Sequence, residues 1–515
     1  MDLASFTAML QTISKAPKAA YGVFEVSKLR PVCSILQSAG GRLIAIWGSD
    51  ERESIDAPCP FALHLTFALG PTLGLVWIAI PLETPEYPSI HDIFPAALRM
   101  QRAAFDLSGL SALNSPDTRK WLRHGAWPQE AFPLQKRFSG SFRLDADDYP
   151  FVAVEGAGVS EIPVGPVHAG TIEPGHFRFS VVGEKVLRLE ERLGYTHKGI
   201  EKRFESLGVM DGARLAGRIS GDSTVAYAWA YAMAIERATG ITPPQRALWL
   251  RALWLERERV MNHLGDLGAI ANDAGFAFGL AQFSRLKEDL LRENFAMTGH
   301  RYLMDAVVPG GVASDPGDRL VHVVNEAQEF EAELGELKAI YDDHAGLQDR
   351  FRGIGRLSAS LAARLGVVGL TARASGKVMD LRADFPSPPY DQLNLKVATA
   401  AEGDVAARVA VRFAEIQESL RLWRIIAQRI PSGSVLEPIP TDPPPALGVG
   451  WVEGWRGEVL ITLVLGNHGA LARVHAHDPS WQNWPALEHA ALDNIVPDFP
   501  LINKSFNLSY SGHDL

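Results

Sequence analysis

Cysteine is nearly absent from this chain. Its 515 residues include two, Cys33 and Cys59, far apart and outside any CxxC pattern, so neither a disulfide framework nor a thiolate-held cluster can be built from them. The polypeptide cannot carry its own iron-sulfur chain. A basic block is also lacking. Fifty Lys and Arg against sixty Asp and Glu leave a formal charge of -10, and the scattered cations give no electrostatic footprint for nucleic acid. Nucleic-acid binding is set aside. No apolar run of membrane-spanning length is unbroken: the stretch from Pro60 to Pro81 comes nearest, and Gly70, Pro71 and Gly74 interrupt it. Two buried strands joined by a turn are expected there, with membrane association coming through partners. The N-terminus lacks the basic start and continuous apolar core of a secretory signal, so the chain is expected to stay in the cytoplasm. No dinucleotide-binding glycine loop is found, because "GVGWVEG" lacks the strand-turn-helix setting such a loop needs.

What is present is a globular chain, 47% hydrophobic and 21% charged, long enough for at least two packed domains. The fold class expected is α+β: a small N-terminal α+β domain over residues 1–145, then a mainly helical domain with peripheral β-hairpins over 150–515. An N-terminal helix is expected in "DLASFTAMLQTI", followed by β-rich segments "VCSILQS", "RLIAIWG", "HLTFAL" and "LVWIAIP". A linker reads near residue 145, and β signals return from "FVAVEGAG" to "ERLGY". From Asp211 to about Gly299 the pattern is helical, with further helices over 316–348 and 401–429. A Pro-rich break then precedes a hairpin in "VGWVEGWRGEVLITLVLGNHGALARVHAH".

Three constellations carry possible chemistry. "GPVHAGTIEPGHFRF" holds His168, Glu173 and His176 in a Gly/Pro-bent hairpin; imidazoles exchange protons near neutrality, while a polar turn with incidental histidines is the plainer reading and the one spacing favours. In "LERERVMNHLG", Glu256, Arg259 and His263 fall at i, i+3 and i+7 on one helical face. A solvated charged stripe is the ordinary explanation. The neighbouring run "VAYAWAYAMAI" is apolar all round and must be buried, which turns that face toward a bundle interior, where the charges would have to be paired. The third constellation is a pair of serine segments, "RISGDS" and "SFNLSYSG". Alone, each signals nothing; the serines of "RISGDS" can be an ordinary helix cap.

Taken in order, "GPVHAGTIEPGHFRF", "LEERLGYTHKGIEKRFE", "GRISGDSTVAYAWAYAMAIE", "LERERVMNHLGDLG", "VPGGV", "VEGWRGE" and "RVHAHDPSWQNWPALEHA" resemble the large subunit of membrane-bound, energy-converting nickel-iron hydrogenases and its relative, the 49-kilodalton subunit of respiratory complex I. The resemblance covers about 160–515. The first domain resembles the 30-kilodalton subunit of complex I through "FPAALRMQRAAFDLSGL", "PDTRKWL" and "FPLQKRF", and the two in one chain are like the fused large subunit of formate hydrogenlyase-type complexes.

That resemblance implies a metal site with its ligands gone. The family's two CxxC pairs align with Ser220 and Ser223 and with Ser509 and Gly512. Serine is a hard, un-ionised oxygen donor where soft thiolate is needed, and glycine offers no donor, so no nickel-iron centre and no hydrogen activation are expected. The chain ends at "GHDL" after the second pair, and metal-dependent cleavage of an extension is not expected. The chain departs from complex I as well: Gly221 stands where a tyrosine contacts the quinone headgroup, Asp222 and Tyr227 are the nearest polar substitutes, and either His168 or His176 matches the hairpin histidine. The implied assembly has an iron-sulfur small subunit like the B-type one of complex I, a ferredoxin-like subunit and antiporter-like membrane subunits, with this chain peripheral on the cytoplasmic face of the membrane. No cofactor held by this chain itself is expected, apart from a quinone as a possible acceptor. Two functions stay open: electron transfer from the partner's cluster to an acceptor such as a quinone near Ser220, Asp222, His168 and His176, with the Glu256, Arg259 and His263 face in support, or a scaffold that couples partners without chemistry.

Overall fold

Two nearly continuous apolar runs begin the fold. Phe61–Leu69 (β4) and Gly74–Leu82 (β5) pair antiparallel with Leu65 opposite Ile78, and both are buried along most of their length, as strands covered on two faces require. The computed structural model describes residues 2–515 except 16–17, 53–57, 71–73, 145–148, 171 and 206. The turn between β4 and β5 and the centre of the expected linker therefore fall outside the described residues. A helix Leu3–Ala8 (α1) and strands Gln11–Lys15 (β1), Lys18–Val23 (β2) and Arg42–Asp50 (β3) complete this region, in a five-stranded sheet of order β1-β2-β5-β4-β3 with β2 parallel to β5.

Two expectations fail here. The N-terminal helix stops at Ala8, because Gln11 and Thr12 pair with Tyr21 and Ala20 in the β1–β2 ladder; tertiary pairing overrides local propensity. "VCSILQS" is helical, within Leu29–Ser38 (α2). Its β-branched content suggests a strand, yet Leu29, Val32, Cys33 and Leu36 are the buried residues, a 3.6-residue period and not an alternation.

Opposite faces of the sheet serve different cores. Leu63, Leu65, Phe67, Val76, Ile78 and Ile80 pack with α2 and with Ala97–Ser108 (α3). Trp47, Ala68, Leu75 and Trp77 pack instead against Val449, Trp451 and Leu460 of the C-terminal region. Those belong to an antiparallel sheet of Ala446–Glu453, Glu458–Leu465 and Leu471–His477. Ahead of it in the chain come the sheet Val159–Val164 (β6), His176–Val182 (β7) and Lys185–Arg192 (β8) and then the helical core. We number the C-terminal strands β9, β10 and β11.

The helical core is Thr224–Thr239 (α4), Gln245–Asp273 (α5), Ala277–Thr298 (α6), Val323–Asp343 (α7) and Val405–Arg429 (α8). The expected helices over 316–348 and 401–429 are thus present. Helix α4 is buried on nearly every side and lies directly on β9, where a Cβ on Gly448 or Gly450 would collide with the carbonyls of Ala234 and Ala230; glycine is what permits that approach. Short helices after β11, among them Ser480–Ala490 (α9) and Tyr510–Asp514 (α10), bring the C-terminal residues back inside, with the Leu515 carbonyl accepting from the N–H groups of Lys198 and Gly199. Among the described residues no helix is long and apolar enough to cross a membrane.

Candidate functional site: a serine cradle and a charged seam

The two serine segments meet. Ser220, in the turn before α4, and Ser509, the N-cap of α10, lie 289 residues apart in the chain, and their hydroxyl oxygens are 2.9 Å apart in a buried hydrogen bond. The fold thus brings two distant segments of the chain to one buried point. Each hydroxyl has other work: Ser220 Oγ donates to Asp222 Oδ1 at 2.8 Å, and Ser509 Oγ accepts from Gly512 N at 2.9 Å as an N-cap. Ser223 Oγ accepts from Arg456 Nη1 at 3.3 Å, and Arg456 holds both oxygens of Asp222 at 2.8 and 2.6 Å. Burial acts to raise the Asp222 carboxyl, but Arg456 and Ser220 outweigh it and hold it below the usual carboxylate range.

The fourth position is filled from elsewhere. A Cβ on Gly512 would collide with the carboxylate of Asp478. That carboxylate accepts from Tyr227 Oη at 2.6 Å and from Ser480 N at 2.8 Å, and burial, reinforced by Asp478, pushes the Tyr227 phenol well above its ordinary value. Neutral hydroxyls, a closed Asp–Arg pair and a Tyr–Asp pair therefore occupy the cradle. They supply none of the soft, anionic sulfur that a nickel-iron centre requires, and the residues present do not fit that group.

The hairpin between β6 and β7 covers one side. His168 approaches Tyr510, Nε2 to Oη at 3.4 Å, and Glu173 Oε2 accepts from Ser511 N at 2.9 Å. His176 does not join them. It begins β7, contacts Gly165 O and Arg178 Nε, both at 3.4 Å, and packs on Phe151; burial lowers its pKa. Gly221 is exposed, and a Cβ there would meet only Met304 Cε, at 3.5 Å.

Below the cradle, α5 is charged and buried together. Glu256, Arg259 and His263 are each 0% exposed, so the solvated-stripe reading is wrong. Pairing makes this possible. Glu256 accepts from Arg382 Nη1 at 2.9 and 3.0 Å, Tyr390 Oη at 2.5 Å and Ser419 Oγ at 2.6 Å. Arg259 donates to the carbonyls of Glu453 and Gly454. His263 Nε2 meets Glu415 Oε2 at 2.8 Å, and Arg373 joins Glu415 to Glu453, at 2.8 Å to each. Burial raises Glu415, and Arg373 and His263 more than reverse it, leaving the carboxyl well below its ordinary value; burial lowers His263. One member is different. Glu258 caps the N-terminus of α4, accepting from Val225 N and Ala226 N at 2.6 and 3.2 Å, and burial pushes it up to about 8.

Of the residues singled out in the sequence, then, Ser220, Ser223, Asp222, Tyr227, Ser509 and Gly512 come together, His168 and Glu173 border them, and Glu256, Arg259 and His263 form the adjoining seam. Arg456, Asp478 and Glu258 were missed. "VEGWRGE" and "HDPSWQNW" were available as landmarks for the first two, and no pattern marks Glu258 apart from its neighbours.

Comparison with known proteins fits this architecture. A family model described as the respiratory-chain NADH dehydrogenase 49 Kd subunit matches residues 273–446, and one described as the 30 Kd subunit matches 23–143. Formate hydrogenlyase subunit 5 of Escherichia coli (strain K12) is 32% identical, across 92% of this chain and 85% of that protein; hydrogenase-4 component G of the same organism is 31% identical, across 92% and 84%. The C/D subunit of the NADH-quinone oxidoreductase of Phocaeicola vulgatus is 29% identical, across 73% and 76%. A chain of the solved membrane-bound sulfane sulfur reductase, an archaeal respiratory membrane complex, superposes with a TM-score of 0.66 at 26% identity, covering 70% of this chain and 99% of its own. The chain belongs to the family of complex I-type and membrane-hydrogenase large subunits of membrane-bound respiratory complexes, with a 30-kDa-like segment ahead of a 49-kDa-like one in a single polypeptide.

Proposed function

We propose that this chain is the peripheral, cytoplasm-facing subunit of a membrane-bound oxidoreductase complex and works without a nickel-iron centre. One observation carries the reading: Ser220 and Ser509 hydrogen bond to each other at 2.9 Å and Asp478 fills the space over Gly512, so the positions of the family's four thiolates are closed by internal contacts of neutral or paired groups. Metal analysis of the purified complex tests it. Nickel well below one atom per chain is expected, and stoichiometric nickel would overturn the proposal.

The reaction we assign is electron transfer to an organic acceptor of the quinone class. Two electrons would arrive singly from an iron-sulfur cluster in a small partner subunit like the B-type one of complex I, supplied through a ferredoxin-like subunit, and two protons from solvent would complete the quinol. Antiporter-like membrane subunits would lie beneath. The side of the cradle open to such a ring is the exposed Gly221 turn, near the hairpin that sets His168 against Tyr510. Oxidation of the pre-reduced complex by a short-chain ubiquinone should fall at least tenfold in His168→Ala and hold in His176→Ala, which lies outside the cradle. A second reading, a coupling scaffold without chemistry, draws on the same closed hydrogen bonding around Ser220 and Ser509. It prevails if the intact complex reduces no quinone while loss of this subunit still prevents assembly.

A further inference from the structure

Where the N-terminal sheet meets the C-terminal strands, a cavity of about 20 Å³ lies against β3, α3, β11 and the last residue, with Gly48, Ser108, Glu201, Arg473, His475 and Leu515 in its wall. Three of these lining residues each carry a buried polar atom, Ser108 Oγ, Arg473 Nε and His475 Nε2, that has no hydrogen-bond partner among the described residues. The rest of each arginine and histidine head group is engaged. Arg473 Nη2 donates to Gly48 O and Glu201 Oε2, both at 3.0 Å, and Nη1 donates to Val474 O at 2.7 Å. His475 Nδ1 meets Glu201 Oε1 at 2.5 Å. An orphaned buried polar atom costs more than a made hydrogen bond returns, and three of them around one small space point to a shared partner.

The three atoms specify that partner. Glu201 accepts at Nδ1 and so selects the Nδ1–H tautomer of His475, which leaves Nε2 as an acceptor. Arg473 Nε–H is a donor, and the Ser108 hydroxyl serves either way. A molecule that answers all three must both donate and accept. It must also be neutral, since Arg473 and Glu201 already balance each other. A space of this size holds one water, which needs two to four polar partners. We propose that the cavity is a built site for a single internal water that donates to His475 Nε2, accepts from Arg473 Nε–H and closes on Ser108 Oγ. The water would tie α3 of the N-terminal region to β11 and lie beside Leu515, which immediately follows the α10 helix that carries the Ser509 cap.

A cryo-electron microscopy map of the intact complex, at a resolution that shows ordered water elsewhere in its interior, tests this directly. A peak at about 2.7–3.2 Å from all three atoms is expected; an empty site beside resolved internal waters overturns the proposal. A double-mutant cycle supplies an independent arm. Ser108 and His475 share no direct hydrogen bond, so Ser108→Ala and His475→Phe should shift the thermal midpoint by less together than their separate shifts add up to, because either one alone removes the bridge. Strict additivity would count against the water. Should the variants fail to fold, the wild-type map decides.

Discussion

Around Ser220 and Ser509, polar atoms are buried as hydroxyls beside an Asp–Arg pair that still reaches solvent at Asp222, whose side chain is 37% exposed, and beside one buried carboxylate, Asp478, held by Tyr227 and Ser480. Around Glu256 and Glu415 they are buried mostly as charged groups in series, with Arg259 and Arg373 at 0% exposure and Glu453 pushed up to about 7 by burial and the neighbouring Asp380. The two regions differ in what a lost partner leaves behind. A neutral hydroxyl that loses its mate costs about 1 kcal/mol, whereas an uncompensated buried charge costs about 3–5 kcal/mol. The seam is therefore intolerant of change, and the serine hydroxyls of the cradle are tolerant.

The largest test of this contrast is Arg373→Met. It strands Glu415 and Glu453, which Arg373 now bridges, and should destabilise the chain by about 3–5 kcal/mol in urea unfolding. A loss under about 1 kcal/mol would mean that the seam is not ionised as drawn. Next is the pH response of Glu258. Its carboxyl is raised from 4.5 to about 8 in the folded chain, so its contribution is fully present below pH 4.5 and is lost as pH rises through about 8. Wild-type stability should fall between about pH 5 and 8 more steeply than that of Glu258→Gln. Parallel slopes in urea unfolding across that range would refute the assignment. Glu415 runs the other way: held below its ordinary range, it contributes at neutral pH and weakens only on acidification.

Legibility in the sequence follows the range of the interaction. The face of α5 that carries Glu256, Arg259 and His263 is readable because a helix repeats over short spacing. Their partners Arg373, Arg382 and Glu415 lie more than a hundred residues on, and no periodicity reports them. The meeting of Ser220 and Ser509 was readable only through motifs in fixed order, since two serines near helix starts carry no signal of their own. That Asp478 fills the place above Gly512 was not readable at all, because it depends on how β11 enters α9. The hairpin left His168 and His176 as equal choices; strand geometry separates them, putting His176 on β7 and His168 in the loop that folds over Tyr510. The misread segment at Leu29–Ser38 has a local cause, β-branched residues in a short amphipathic helix whose period needs Leu29 to be seen.

The smallest expected effects sharpen the comparison most. Ser220→Ala removes one hydroxyl from the cradle, and Asp222 keeps Arg456, so a loss of about 0.5–1.5 kcal/mol is expected. Ser509→Ala removes the same inter-serine bond and also the N-cap on Gly512, and should cost about 0.5–2 kcal/mol, the larger of the two. Because both singles delete one shared bond, the double variant should lose less than their sum. All three are measurable by urea unfolding of the same preparation. The informative failure is a single-serine cost that reaches the range of Arg373→Met. A neutral hydroxyl cannot account for that much, and a charge beyond those of Asp222, Arg456 and Asp478 would then have to sit in the cradle, with Ser220 or Ser509 serving a bound cation through its oxygen; in that case the metal-free reading would fall on thermodynamic grounds even before nickel is measured.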